Sequence, residues 1–252
     1  MSILNLSELF VENKTFRFDA EYFDKKYINN IALLKSKKYT KLKELINSMT
    51  GGATPLGANY ESSGVLFLRV QNIMQNYFNL NDVKYINQIQ DQEIKRSKLK
   101  YKDVLLTITG AYGKSAVVNT NLENANINQH SVKITLNKKI NPYFLSTFFN
   151  SKYGNLQSDK NIIGVTRPAL DYHVIRNFII PIFSNEFQLQ IEQLVTQASD
   201  QRNQSQALYS QAEKILLDEL DLHDFKPSEE NISIKKISES FYKTGRLDAE
   251  YY

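Results

Sequence analysis

Apolar residues in this chain follow two patterns, short dense runs through most of its length and then one long sparse seam. Val65–Val70 (VLFLRV), Val104–Thr109 (VLLTIT), Ala116–Val118 and Val132–Leu136 are runs too short for helices, and they are rich in aliphatic and β-branched residues. They predict buried strands. Gly110–Lys114 (GAYGK) separates two of them and predicts a hairpin loop. Phe178–Phe183 (FIIPIF) reads as a last strand or sheet edge. Short strands between polar loops predict a twisted, mostly antiparallel sheet. Glycine and proline in Thr50–Gly57 (TGGATPLG) favour a shaped loop over helix. Ala20–Leu34 reads as a short helix, and Asn141-Pro142 opens another, with asparagine as N-cap and proline in the first turn. Gly164–Pro168 (GVTRP) reads as a loop before a short helix.

Beyond Asn185 the period changes. Steps of four and three from Phe187 reach Ile191, Leu194, Ala198, Gln201, Ser205, Leu208, Ala212 and Ile215, with no Pro or Gly up to Leu222. This is the seam of a long helix with a heptad-like repeat. At 1.5 Å per residue it would run about 57 Å, more than one small core can cover. Phe187, Ile191, Leu194, Ala198, Leu208, Ala212 and Ile215 are therefore expected to pair with a second copy. Polar Gln201 and Ser205 in mid-seam would set register or mark a loosely packed centre.

One segment occurs twice. Thr15–Phe23 reads TFRFDAEYF and Thr244–Tyr252 reads TGRLDAEYY, identical at six positions and offset by 229 residues. Ser7-Glu8 and Ser238-Glu239 match upstream. A chain that restarts its opening element suits a tandem or two-fold arrangement, and duplex DNA is a ligand with two similar halves. The expected organisation is a helical segment over 1–37, a globular domain over 38–183, a long spacer or dimerisation helix over 184–223, and a linker with the repeat over 224–252. The fold class is α+β, a mixed α/β domain with a twisted, mostly antiparallel sheet followed by a long coiled-coil-like helix.

Composition narrows the chemistry. The net charge of +4 permits a polyanionic partner without demanding one. With no cysteine there is no disulfide, thiolate metal site or cysteine nucleophile, and His130, His173 and His223 are too scattered for a metal site. The opening MSILNLSELF lacks the features of a signal peptide, and no run approaches the roughly 20 apolar residues that span a bilayer, so a cytoplasmic protein without a membrane partner is expected.

Catalytic motifs fail one by one. GAYGKS would need glycine at position 108 to be a phosphate loop, and Ile108 stands there. Asn141-Pro142-Tyr143-Phe144 is one proline short of the amino-methyltransferase signature. Asp82, Glu93 and Lys95 lie in a charged run, Asp82–Lys102, that reads as solvated surface rather than a nuclease site. No enzyme is expected, and no cofactor or metal. What remains are polar loops carried on strands, and their side chains suit nucleic acid. Arg69, Gln71, Asn72, Tyr112, Lys114, Asn126, Asn128, Gln129 and Arg167 are candidate base readers. Thr54, Lys98, Thr109, Lys114 and Lys160 are candidate phosphate contacts.

In this order along the chain, the DAEY repeats, Thr50–Pro55 (TGGATP), Phe67–Ile73 (FLRVQNI), Lys102–Gly110 (KDVLLTITG), Ala125–Gln129 (ANINQ), Pro142–Leu145 (PYFL) and Ile180-Pro181 before the glutamine-rich helix make up one ordered set. The set resembles the specificity subunits of Type I restriction-modification systems. The resemblance implies a non-catalytic target-recognition domain over 38–183 that reads one half of a split double-stranded DNA site. It implies docking of methyltransferase subunits, which bind S-adenosylmethionine, and through them of ATP-dependent restriction subunits. With one recognition domain, one long helix and the start of a repeat, the chain resembles a half subunit that self-associates as a homodimer, or a shortened version of a longer chain. Two other readings stay open: a self-contained nuclease or methyltransferase of the fused type, and a coiled-coil scaffold that binds protein only.

Overall fold

The computed structural model describes residues 17, 19–55, 57, 60–164, 168–222 and 234–246. The chain divides into two units, Met1–Asp200 and Gln201–Tyr252. The first contains strands β1 (Tyr39–Lys41), β2 (Ile46–Gly51), β3 (Val65–Leu68), β4 (Lys84–Ile86), β5 (Val104–Thr107), β6 (Ser115–Val117), β7 (Asn126–Ile127), β8 (Ser131–Leu136) and β9 (Ile179–Pro181). Its helices are α1 (Lys25–Lys35), α2 (Gln88–Glu93), α3 (Pro142–Asn150), α4 (Lys152–Asn161) and α5 (Tyr172–Arg176). The long helix α6 (Asn185–Glu219) contains the boundary between the units, and α7 (Phe241–Thr244) belongs to the second.

The strands form three sheets, in the orders β1-β9, β2-β8-β5-β6 and β4-β3-β7. All pairs are antiparallel except β3–β7. The VLLT run of β5 is buried throughout because both of its faces are covered. Val104 and Leu106 point into one core with Val132, Ile134, Leu145 and Ile180. Leu105 points into another with Leu68, Ala116, Val118 and Ile127. Each such side chain contributes about 1.5–3 kcal/mol when fully buried.

Asn141 caps α3 as its sequence predicts, accepting hydrogen bonds from the N–H groups of Tyr143 and Phe144. Buried Gln157 on α4 acts like one residue of an extra strand: its amide nitrogen donates to the Ile179 carbonyl at 3.0 Å and its amide oxygen accepts from the Ile179 N–H at 2.8 Å. Two expectations need correcting. Thr50 and Gly51 belong to β2 rather than to the loop, since pairing with Lys133 and Val132 of β8 overrides weak strand propensity. The run Asp82–Lys102 is only partly solvated surface. It forms β4 and α2, and Asp91, Ser97 and Leu99 within it are buried.

Candidate nucleic-acid interface

Strand register gathers the polar loops at one end of the sheets. Gly51 of β2 faces Val132 of β8, Thr107 of β5 faces Ser131 of β8, and Leu106 faces Ser115 of β6. The segments after β2 and β5 and before β6 and β8 therefore share an edge. The parallel pair β3–β7 feeds the same edge, because Asn128 N–H donates to the Leu68 carbonyl and Ala53 N–H to that of Ile127. Residues 168–170 join through Leu170 N–H to the Ile108 carbonyl and Gly110 N–H to the Pro168 carbonyl. Gly52 is needed where these segments cross: a Cβ there would stand 2.0 Å from the Asn128 carbonyl oxygen.

On this rim Thr54 and Gln129 are exposed, and the Thr54 hydroxyl donates to the Gln129 side-chain oxygen. Half-buried Lys114 places its ammonium 3.5 Å from the Met74 sulfur, while its N–H donates to the Thr107 hydroxyl oxygen at 2.9 Å. Thr109 is half-buried and bridges Ala169. The Tyr112 hydroxyl donates to Asp159 at 3.2 Å, and burial, aided by that carboxylate, pushes the phenol up to about 12. It stays a neutral donor at any working pH. Tyr172, which sequence reasoning passed over, stands against Gly51, and burial raises its phenol above the ordinary value. The Gly51-Gly52 pair was its one trace in the sequence.

Beside this edge a built cluster follows β3. The Asn72 amide nitrogen donates to the Asn79 and Asp82 carbonyls at 2.9 and 3.0 Å. Arg69 Nη2 donates to the Asp82 carbonyl at 3.0 Å and to its carboxylate at 2.7 Å. Gln71 donates to the same carboxylate at 3.1 Å, and Lys84 pairs with its other oxygen at 3.4 Å. The hydrogen bond from Arg69 holds the Asp82 carboxyl below the usual carboxylate range.

No protein-family model matches the chain. The specificity subunit of the Type I restriction enzyme EcoBI from Escherichia coli is 32% identical over 138 residues, a match taking in 53% of this chain and 28% of that relative. Over those 138 residues the chain is similar to a Type I specificity subunit. It spans well under half the length of this curated member. Among solved structures, the S subunit of a Type I restriction-modification system from M. genitalium is 13% identical, covering 73% of this chain and 44% of that one at a TM-score of 0.49. The type IIG restriction endonuclease BpuSI is 9% identical, covering 70% and 28% at a TM-score of 0.50, a likeness of fold.

Several expected DNA contacts have other duties in this structure. Asn126 has no exposed surface; its amide nitrogen donates to Asp91 at 2.5 Å and its oxygen accepts from Ser97 at 2.9 Å. It holds α2 against β7 and cannot present an edge to a base. Asn72 is buried and fully used in the cluster above. Asn128 is buried in a tight turn, accepting from the His130 N–H. Lys98 pairs with buried Asp91 at 2.7 Å. Lys160 is half-buried, donating to the Tyr22 carbonyl at 2.6 Å and standing 3.5 Å from the centre of its ring. Burial, with Arg17 adding repulsion, brings its ammonium down to about 8. Arg17 also donates to the Lys160 and Ile162 carbonyls and pairs with Asp19 at 2.7 Å. The first DAEY copy is thus a strap across the end of α4. Arg167 and much of the second copy lie outside the described residues.

The seam on α6 also divides. Phe187 meets the Phe144 and Phe183 rings at 6.3 and 5.0 Å, and Ile191 packs on the main core, so both serve their own domain rather than a second copy. Gln188 anchors the same turn by accepting from Asn141 N–H at 2.9 Å. Leu194, Leu208 and Ile215 are more than half exposed, and Ala198 and Ala212 are exposed with them.

Proposed function

We propose that this chain is a non-catalytic reader of DNA sequence for a Type I restriction-modification system. It recognises one half of a split site in double-stranded DNA and docks the methyltransferase subunits that carry S-adenosylmethionine, and through them the ATP-dependent restriction subunits. The observation that carries this reading is the 138-residue match to the EcoBI specificity subunit, in a chain whose strand register converges its polar loops on one edge. Thr54, Gln71, Thr109, Tyr112, Lys114, Gln129 and Arg167 remain the proposed contacts. Leu194, Ala198, Leu208, Ala212 and Ile215 pair with a second copy, so half-site spacing follows from helix geometry.

Co-purification with the methyltransferase encoded beside it, followed by mapping of methylated bases, tests this. A symmetric, interrupted motif is expected; unchanged methylation on removal of the chain contradicts it. The fold shared with BpuSI favours a second reading, a module of a fused enzyme. Cleavage or methyl transfer by the purified chain with DNA, magnesium and S-adenosylmethionine would establish that alternative.

A further inference from the structure

Asp82 stands in a run whose sequence reads as solvated surface, yet both its backbone and its side chain are held by neighbours. Its carbonyl accepts from both Asn72 and Arg69, and its carboxylate accepts from Arg69 and Gln71 and pairs with Lys84. Arg69 is committed to this arrangement. Both two-nitrogen forks of a guanidinium include Nη2, and here Nη2 donates to two Asp82 oxygens, while Nε is buried without a partner. The side chain is only 18% exposed. It therefore lacks the pair of adjacent N–H groups that guanine O6 and N7 require. Arg69 is a brace, and its expected role as a base reader is corrected accordingly.

Gln71 is in the opposite situation. It is exposed, and one hydrogen of its amide nitrogen is held by Asp82. The amide keeps a second hydrogen to donate and its side-chain oxygen to accept. Together they form a donor and acceptor pair matching N7 and the N6 amine of adenine in the major groove. A carboxylate accepts only, so Asp82 also fixes which way round the amide sits.

We propose that Asp82 is a positioning residue that holds Gln71 as an adenine reader, with Arg69 bracing the pair. This rests on the DNA-reading function above. The test is enrichment of bound duplexes from a randomised library by the intact chain. The wild type should enrich a motif containing adenine. Gln71→Met and Asp82→Ala should each lower that adenine preference by roughly tenfold or more at the same single position. The other positions should stay unchanged. Asp82→Asn, which keeps an acceptor oxygen, should retain most of the preference, whereas Asp82→Leu, which fills similar space without an acceptor, should lose it. The proposal is overturned if Asp82→Ala keeps the adenine, or if Gln71→Met changes preference for a different base. Gln71 is exposed, so Gln71→Met decides the matter even where Asp82→Ala fails to fold, and retained adenine preference then counts against the proposal. A wild type that enriches no motif overturns both this inference and the DNA-reading function. A motif indifferent to Gln71→Met overturns this inference alone.

Discussion

Leu106 in β5 has no exposed surface, whereas Leu208 in the second half of α6 is 65% exposed. The contrast extends to their surroundings. Strands β2, β5 and β8 and helix α3 bury their apolar residues on one another, and even the polar Asn126 and Gln157 have both ends of their amides satisfied. From Gln201 to Glu219 on α6 every residue but the half-buried Leu217 is exposed, Tyr209 and Ile215 included. One region buries its own apolar surface and pairs most of its buried polar groups. The other carries apolar surface whose natural cover is another helix.

The sharpest way to break the contrast is a matched pair of truncations. Leu106→Ala should destabilise the globular unit by about 2–5 kcal/mol in chemical denaturation. Leu208→Ala should leave that unfolding transition within about 0.5 kcal/mol of wild type and act on self-association instead. Equal effects on unfolding would erase the distinction. Next in size is Asn126→Ala, which leaves Asp91 and Ser97 short of a partner and should cost about 1–3 kcal/mol. It should act through folding rather than through DNA affinity measured on the folded fraction. Loss of DNA affinity without loss of stability would restore Asn126 as a reader.

A smaller effect comes from Lys160. Its ammonium has a value of about 8 in the fold against 10.5 in a free chain. Between those values the unfolded chain holds the extra proton, so stability rises with pH, and below about 8 the cost of burying the charge is fully present. Denaturation midpoints at pH 7.5 and 9.5 should rise for the wild type relative to Lys160→Met. A parallel response would place Lys160 in ordinary solvent. The smallest effect expected is Lys114→Ala, which should weaken binding to all DNA sequences alike and reduce the salt slope by about one.

Much of this was legible from pattern. The strands VLFL, VLLT and VKITL, the GAYGK hairpin and the Asn141 cap follow from local rules that the tertiary structure obeys. The misreadings share a cause. Thr50 and Gly51 form a strand because β8 lies beside them, and Asp91 is buried because Asn126 and Lys98 reach it from 35 and 7 residues away. Such partners are distant in sequence and leave no periodic trace. The candidate site shows the same limit. Loop chemistry singled out Arg69, Gln71, Asn72, Asn126 and Asn128 together, but only register and burial separate exposed Gln71 from residues that build the scaffold. Phe187 and Ile191 continue the seam in sequence, yet aromatic neighbours on α3 claim them.

Sedimentation velocity across a concentration series, on the wild type and on Leu208→Glu with Ile215→Glu, tests the central claim most directly. The account predicts a wild type that forms dimers and a double variant that sediments as a monomer with the unfolding transition of its globular unit intact. A wild type that stays monomeric at every concentration, or a double variant that dimerises as well as the wild type, would contradict it.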